Sequence, residues 1–344
     1  MSSDHRIPVD EHVALTVAVL TGLGAPERTA RIQGEWLCEG DLRGHASHGI
    51  RRLEVLAGRV RAGLIDPAAE ASVQCPRPGV LRVDGNEGFG PPTALAACDA
   101  LPALAAEAGI AIAAIRRCGH LGMLAPYVER LAAAGLVGIA TTTSEALVHP
   151  WGAAPAMLGT NPLAAGLPVD GGEPVVLDMA TGQVSRGKVL DHAARGEPLP
   201  DGAVVDAEGR PTTDAAAALD GAITPFGGPK GYALALVLEV LVASLTHTAL
   251  GTEVRGTLDV TDPVTKGDLL LAIDPAAFGG PGAGVAAYLD TLRALEPAPG
   301  HGPVTVPGDR ARAVRARNLE LGVPVDPGTW SRARELLVDA DRSR

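Results

Sequence analysis

Through the first seventy residues the apolar positions recur at helical spacing. In "DEHVALTVAVLTGLG" they fall on one face and end at Gly22 and Gly24, and "PERTARIQGEWLCEGDL" restarts with Pro26 in a first turn, so two helices are expected. From about Gly79 the period shortens. "GVLRVDG" alternates as a strand does, "PPTALAACDALPALAAEAG" reads as an alanine-rich helix, and "IAIAAIRR" reads as a short buried strand. A helix "LAPYVERLAAAG" and the strands "LVGIATTT", "EPVVLDMA" and "DLLLAID" continue the alternation, which predicts an α/β core with its sheet covered by helices. Gly-, Pro- and Asp-rich stretches at "LPVDGGEP", "RGEPLPDGAVVDAEGRPTTD" and "EPAPGHGPVTVPGD" read as linkers, and the tail from Arg310 returns to helix. The apolar run Tyr232 to Leu245 is interrupted by Glu239 and is short for a membrane span, so a buried core helix is expected.

Composition narrows this picture. With 46% hydrophobic residues over 344 positions the chain can bury a large core, and with 3% aromatics that core must be aliphatic. A formal charge of -11 works against nucleic acid or an anionic membrane as a partner, so an anionic ligand must meet local cations. Lysine is scarce, which singles out Lys188, Lys230 and Lys266. Cys38, Cys75, Cys98 and Cys118 are widely spaced and read as reduced thiols. The N-terminal stretch has no apolar signal core, and a cytoplasmic location is expected.

The reactive side chains gather in short stretches. In "GDLRGHASHGIRRL", Gly40 to Leu53, two histidines, a serine and three arginines share fourteen positions. If helix begins near Ser47, then Ile50, Leu53, Ala57, Val60 and Leu64 form an apolar stripe. His48 and Arg52, four apart, then project side by side from another face. A histidine can exchange the proton that moves when a carbonyl becomes an alcohol, and an arginine fork grips a carboxylate. Together they suit a 2-oxo or 2-hydroxy acid. The plainer reading makes His45 and His48 caps or packing groups and Arg51 and Arg52 surface charge. "HASH" is also an H-x-x-H pair, but it lacks the glutamate of a zinc-protease helix, and no metal is expected.

Other stretches suit ligand contacts. His120 follows a strand and is flanked by Gly119 and Gly122; Thr160 and Asn161 lie among turn formers; a strand ends at Asp178 ahead of Arg186 and Lys188, as at a cofactor crevice. Lys230 sits among glycines at a helix start, where free N–H groups and the dipole favour an anion, and Gly308, Asp309 and Arg310 repeat that arrangement. The nearest approach to G-x-G-x-x-G, at "GGPGAGV", lacks its third glycine and the later acidic residue, so any nicotinamide nucleotide must bind without a Rossmann turn.

"RGHASHG", "HPWG", "LGTNP", "LDMAT", "PFGGPKGY" and "VPGDR", in this order, resemble the malate/L-lactate dehydrogenase family of the second, non-Rossmann type, across almost the whole chain. The family also holds ureidoglycolate and sulfolactate dehydrogenases, diketogulonate reductase and Δ1-piperideine-2-carboxylate reductase. The resemblance implies an oxidoreductase using NAD or NADP, homodimeric, with a mixed α/β core (76–300) carrying the cofactor and substrate. Helical segments 1–75 and 301–344 would pack together. It places Ser47, His48 and Arg52 at proton-transfer and substrate positions, His120 at a position some members use as acid/base, and Thr160 against substrate. The two histidines stay unranked. Cofactor contacts would come from His120, Leu121, Gly122, Met123 and Leu124, then from Ser144, Asp178, Met179 and Ala180. Arg186, Gly187, Lys230 and Gly231 would add to them, as would the turn of Pro307, Gly308, Asp309 and Arg310. Departures fall on the substrate side: Thr143 where Asn is frequent, Ala153 for a second Gly, and Leu56 for Tyr. Cyclic-imine reductases of the family carry an acidic residue by Lys188, and its absence argues for a hydroxy acid over the alternative imine substrate. A ligand-binding relative without turnover is the remaining alternative.

Overall fold

The computed structural model describes residues 5–280 and 282–342. Its centre is a seven-stranded mixed sheet in the order β2-β3-β4-β11-β5-β6-β7. The strands are β2 (Ser72–Arg77), β3 (Val80–Gly88), β4 (Ile110–Cys118), β5 (Val137–Thr142), β6 (Leu163–Leu167), β7 (Val175–Met179) and β11 (Gly267–Ile273). Only β3 and β4 pair parallel; every other neighbour in this sheet is antiparallel. The βαβ reading therefore holds for two units: α4 (Gly90–Ala108) crosses from β3 to its parallel neighbour β4, and the helix at Ala125–Ala133 carries β4 to β5, parallel to it across the intervening β11. From β5 through β6 to β7 consecutive strands are antiparallel neighbours, which periodicity alone does not distinguish from crossovers. β11 enters from far along the chain to lie between β4 and β5, and its run of Leu269 and Leu270, each 0% exposed, suits a strand covered on both faces.

One aliphatic core joins the sheet to α4 and α5 (Ala125–Ala133), with Leu101, Ala113, Ile115, Val128, Leu131 and Leu270 at its centre. A second core lies in a helical layer of α1 (Val9–Gly22), α2 (Glu27–Leu42), α3 (Leu53–Arg61) and α10 (Pro327–Arg342), closed by the short pair β1 (Arg6–Ile7) and β12 (Val323–Pro324). The N-terminal and C-terminal segments thus share one core, and α9 (Asp309–Leu321) packs on α2. A third core gathers Val148, Leu158, Val184, Val189 and Val204 around β8 (Val204–Val205), β9 (Pro211–Thr212), β10 (Ala222–Ile223) and α6 (Arg186–Arg195). The stretch expected as a linker, residues 195–214, supplies two of those strands.

The apolar run lies in α7 (Pro229–Thr246). Ala235, Leu238, Glu239 and Val242 are buried, but Leu236, Val237, Val240, Leu241 and Leu245 are exposed, Val237 to 62%. The expectation of a fully buried helix is corrected to one with a bare apolar face. The last helix of the sheet region is α8 (Val285–Arg293).

Candidate active site

The opening cluster does not form the continuous helix expected from Ser47. Two 3-10 turns, Ala46–His48 and Ile50–Arg52, are separated by Gly49 in an extended conformation, and α-helix starts only at Leu53. The cause is Asp41. Its buried carboxylate accepts the Ile50 N–H at 2.8 Å and His12 Nε2 at 2.9 Å, filling the space beside residue 49. A Cβ on Gly49 would lie 1.8 Å from Asp41 Oδ1. Burial raises the Asp41 pKa, and the His12 bond opposes that rise. Ile50, Leu53 and Ala57 are buried as expected, and His48 and Arg52 come together with His120.

There the His48 and His120 rings stand 5.4 Å apart between centroids, tilted by 40°. Ser47 Oγ is 3.0 Å from His48 Nδ1, so the serine orients that ring. His120 Nδ1 accepts the Gly122 N–H at 2.9 Å, which leaves the proton of its neutral ring on Nε2. Burial pushes the His48 pKa down to about 3, helped by Arg52 and His45. Burial likewise holds His120 well below its ordinary value, with Arg52, His48 and Lys266 adding to the effect. Both rings are neutral at pH 7. Arg52 donates from Nη2 to the Thr257 carbonyl at 2.7 Å, and its other donors are left for a ligand. Burial lowers its pKa to about 10, against the pull of Glu145, so it keeps its charge.

Several supporting groups were not legible as site residues. Glu145 accepts the N–H groups of Thr257 and Leu258, at 2.5 and 2.9 Å, and the Thr257 hydroxyl. Arg59, 2% exposed, donates to the carbonyls of Asp259 and Asp262. Lys266, one of the three lysines singled out by scarcity, is buried against Asp268 at 2.5 Å, beneath Cys118. Burial works against its charge, yet Asp268 holds its pKa above the ordinary value.

Thr160 lies on a wall that runs continuously to α7. Its N–H donates to Ser144 Oγ at 3.0 Å, its carbonyl accepts from Thr181, and the Thr181 carbonyl accepts the Phe226 N–H just before α7 begins. Asn161, buried at φ 23°, is held by Glu239 at 2.8 Å, which explains the acid inside the apolar helix. Lys230 is exposed in the first turn of α7, which has no side-chain cap, and a Cβ on Gly231 would strike the Phe226 carbonyl. Uncapped N–H groups and an ammonium there fit a phosphate. Gly187 brings α6 against Ser47, where a Cβ would lie 3.0 Å from the serine Cβ, and Arg51 pairs with Asp191 across the same junction at 2.6 Å. Arg186 heads α6 and reaches the Leu219 carbonyl.

The other arm begins at His120. Leu121, Met123 and Leu124 bury their side chains in the sheet core, so only their backbone can meet a ligand. Asp178 is committed: it accepts the N–H groups of Leu124 and Ala125 at 3.0 and 2.8 Å and caps α5, and burial raises its pKa to about 6. Met179 and Ala180 follow it, half-buried. The Pro307 carbonyl accepts the Val176 N–H, fixing the Pro307–Arg310 turn beside β7. Gly308 has φ 100°, and Asp309 is tied to Arg293 and Arg312, its pKa lowered chiefly by the Arg293 bond. Arg310 stays exposed near His45, whose pKa is lowered by burial and then by Arg310. Among the described residues no cluster of three or more metal-ligating side chains occurs.

The malate/L-lactate dehydrogenase family model matches residues 7–333. The chain belongs to that family. Over 343 residues it is 40% identical to a Δ1-pyrroline-2-carboxylate reductase of Pseudomonas fluorescens, covering 98% of this chain and 100% of the relative. A dehydrogenase from Sinorhizobium meliloti superposes with a TM-score of 0.92 at 45% identity, over 97% of this chain and 98% of the other. Sulfolactate dehydrogenase from Methanocaldococcus jannaschii superposes at 0.91 with 32% identity, over 98% of each chain. These make the fold that of the non-Rossmann dehydrogenases and reductases, and the chain a member of that enzyme class. The resemblance carried by the short motifs thus holds over the whole length.

Proposed function

We propose that this protein moves hydride between a nicotinamide, NAD or NADP, and C2 of a small 2-oxo or 2-hydroxy acid. The observation that carries this reading is the convergence of one charged arginine, Arg52, and two neutral imidazoles, His48 and His120, in one cleft. Arg52 holds the substrate carboxylate with the donors that Thr257 leaves free. In the oxidative direction a neutral imidazole takes the C2 hydroxyl proton; in reduction the imidazolium returns it. The His120 Nε2–H also points a donor at a carbonyl oxygen without needing a charge. Lys230 and Gly231 at the start of α7, the backbone of His120–Leu124, and the Pro307–Arg310 turn would hold the cofactor, which supplies or accepts the hydride when bound. A panel of 2-oxo acids with NADH and NADPH tests this, the expected result being cofactor oxidation that depends on the acid.

A second substrate class has its own support. A cyclic imine carboxylate presents the same anion and the same trigonal C2, and the Pseudomonas fluorescens relative is a Δ1-pyrroline-2-carboxylate reductase. The panel therefore includes that imine. For assembly we propose a homodimer that covers the bare face of α7, because Val237, Val240, Leu241 and Leu245 form an exposed apolar stripe.

A further inference from the structure

Resting on the reading above, the cleft also restricts how many charges its substrate carries. Arg52 and Glu145 grip the same residue from opposite sides. Arg52 Nη2 binds the Thr257 carbonyl at 2.7 Å, while Glu145 takes the Thr257 N–H, the Thr257 hydroxyl and the Leu258 N–H. Three donors thus converge on the Glu145 carboxyl group, one residue away from the carboxylate clamp. Thr257 is 3% exposed, so a single buried residue stands between Arg52 and the half-buried Glu145, whose charge Arg52 feels.

The neighbouring charges balance. Arg59 stands 3.8 Å from Asp259 and spends Nη1 on the carbonyls of the loop, and Lys266 is consumed by both oxygens of Asp268. Arg52, Arg59 and Lys266 all feel the Glu145 charge. With Arg255, which pairs with Asp262, four cations thus meet four carboxylates, Glu145, Asp259, Asp262 and Asp268. Once Arg52 holds a first carboxylate, the remaining unpartnered donors of this group, Arg59 Nε and Nη2, are buried and closed to solvent. Arg186, Lys230 and Arg310 are assigned to the cofactor.

We infer that Glu145, seated on Thr257 behind Arg52, is a specificity-determining residue that selects substrates with a single carboxylate and an uncharged tail against those with a second anionic group. Pyruvate and Δ1-pyrroline-2-carboxylate are of the accepted kind. Oxaloacetate and sulfopyruvate are of the rejected kind, although some members of the family handle such dianions, as the sulfolactate dehydrogenase does. The selection works by repulsion and by a missing partner rather than by an added contact.

The test measures kcat/KM for these four substrates with wild type and Glu145→Gln. Glutamine keeps the shape and an acceptor for the Thr257 and Leu258 N–H groups while removing the charge. Wild type should favour the better monoanion over the better dianion by about 10-fold or more, and Glu145→Gln should narrow that ratio by about 10-fold. A loss of folding would lower both classes together and leave the ratio fixed. A second measurement therefore uses wild type alone: oxamate, a monoanion, should inhibit more tightly than tartronate, a dianion. A wild-type preference for dianions, or a ratio unmoved by Glu145→Gln with tartronate the tighter inhibitor, overturns the inference while leaving hydride transfer at C2 intact. Failure of all four substrates with cofactor bound overturns the underlying reading and this inference with it.

Discussion

His48 and His120 face the same space with different preparation. Ser47 fixes one, the Gly122 N–H fixes the other, and neither imidazole carries charge at pH 7. His48→Ala and His120→Ala kinetics decide the proton carrier: the residue that exchanges the proton should lose roughly 10²- to 10⁴-fold in kcat. The other should lose far less, and His45→Ala should cost little. The pH profile follows from burial. Because the imidazolium form is disfavoured in both rings, the base stays competent as pH falls through the usual histidine value of about 6.5. Oxidative kcat/KM should therefore stay flat from pH 8 to below 6.5, whereas reduction should accelerate as pH falls. A half-loss of oxidation near pH 6.5 would show that the rings are solvated. The stretch "SHGIRR" was legible because its residue types are scarce together. Glu145 and Asp41 with His12 were not, because each acts through a partner remote in sequence, and Lys266 with Asp268 was not, because spacing does not show that the pair is buried.

At the scale of elements, the turn that presents His48 depends on Gly49 leaving room for Asp41. Gly49→Ala should destabilise the fold by about 1–3 kcal/mol, the cost of overpacking a filled site, and urea melts should show a lowered midpoint at unchanged slope. The sequence pattern located α1, α2, α4, α5, β3, β4, β5, β7 and β11, since each has a clear period. It missed the break at Gly49 because a buried carboxylate, not a helix-breaking residue, imposes it. It read residues 195–214 as linker because β8 and β9 are two residues each and surrounded by turn formers. It implied further crossovers where β5, β6 and β7 are antiparallel neighbours. The start of α7 was marked in the sequence by Lys230 between glycines, as the start of α9 was by Gly308 to Arg310. Lys230→Ala should weaken NAD(P)H binding in a fluorescence titration and leave the thermal midpoint in place.

For the whole molecule, a sheet, a helical layer and a smaller third core make up the fold, and α7 both anchors Asn161 through Glu239 and leaves an apolar face bare. Val237→Glu should convert the proposed homodimer to monomer in light scattering, because a charge in an apolar interface is left unpaired. A wild-type monomer of 34.9 kDa would contradict the dimer. The central claim, that Arg52 holds the acid whose C2 exchanges hydride, is tested most directly by steady-state NAD(P)H oxidation with pyruvate or Δ1-pyrroline-2-carboxylate in wild type and Arg52→Lys. Lysine keeps the charge but loses the fork, so the account predicts turnover by wild type and a KM for the acid raised roughly 10- to 100-fold in the variant, with cofactor affinity unchanged. An unaltered KM for the acid in Arg52→Lys would contradict it.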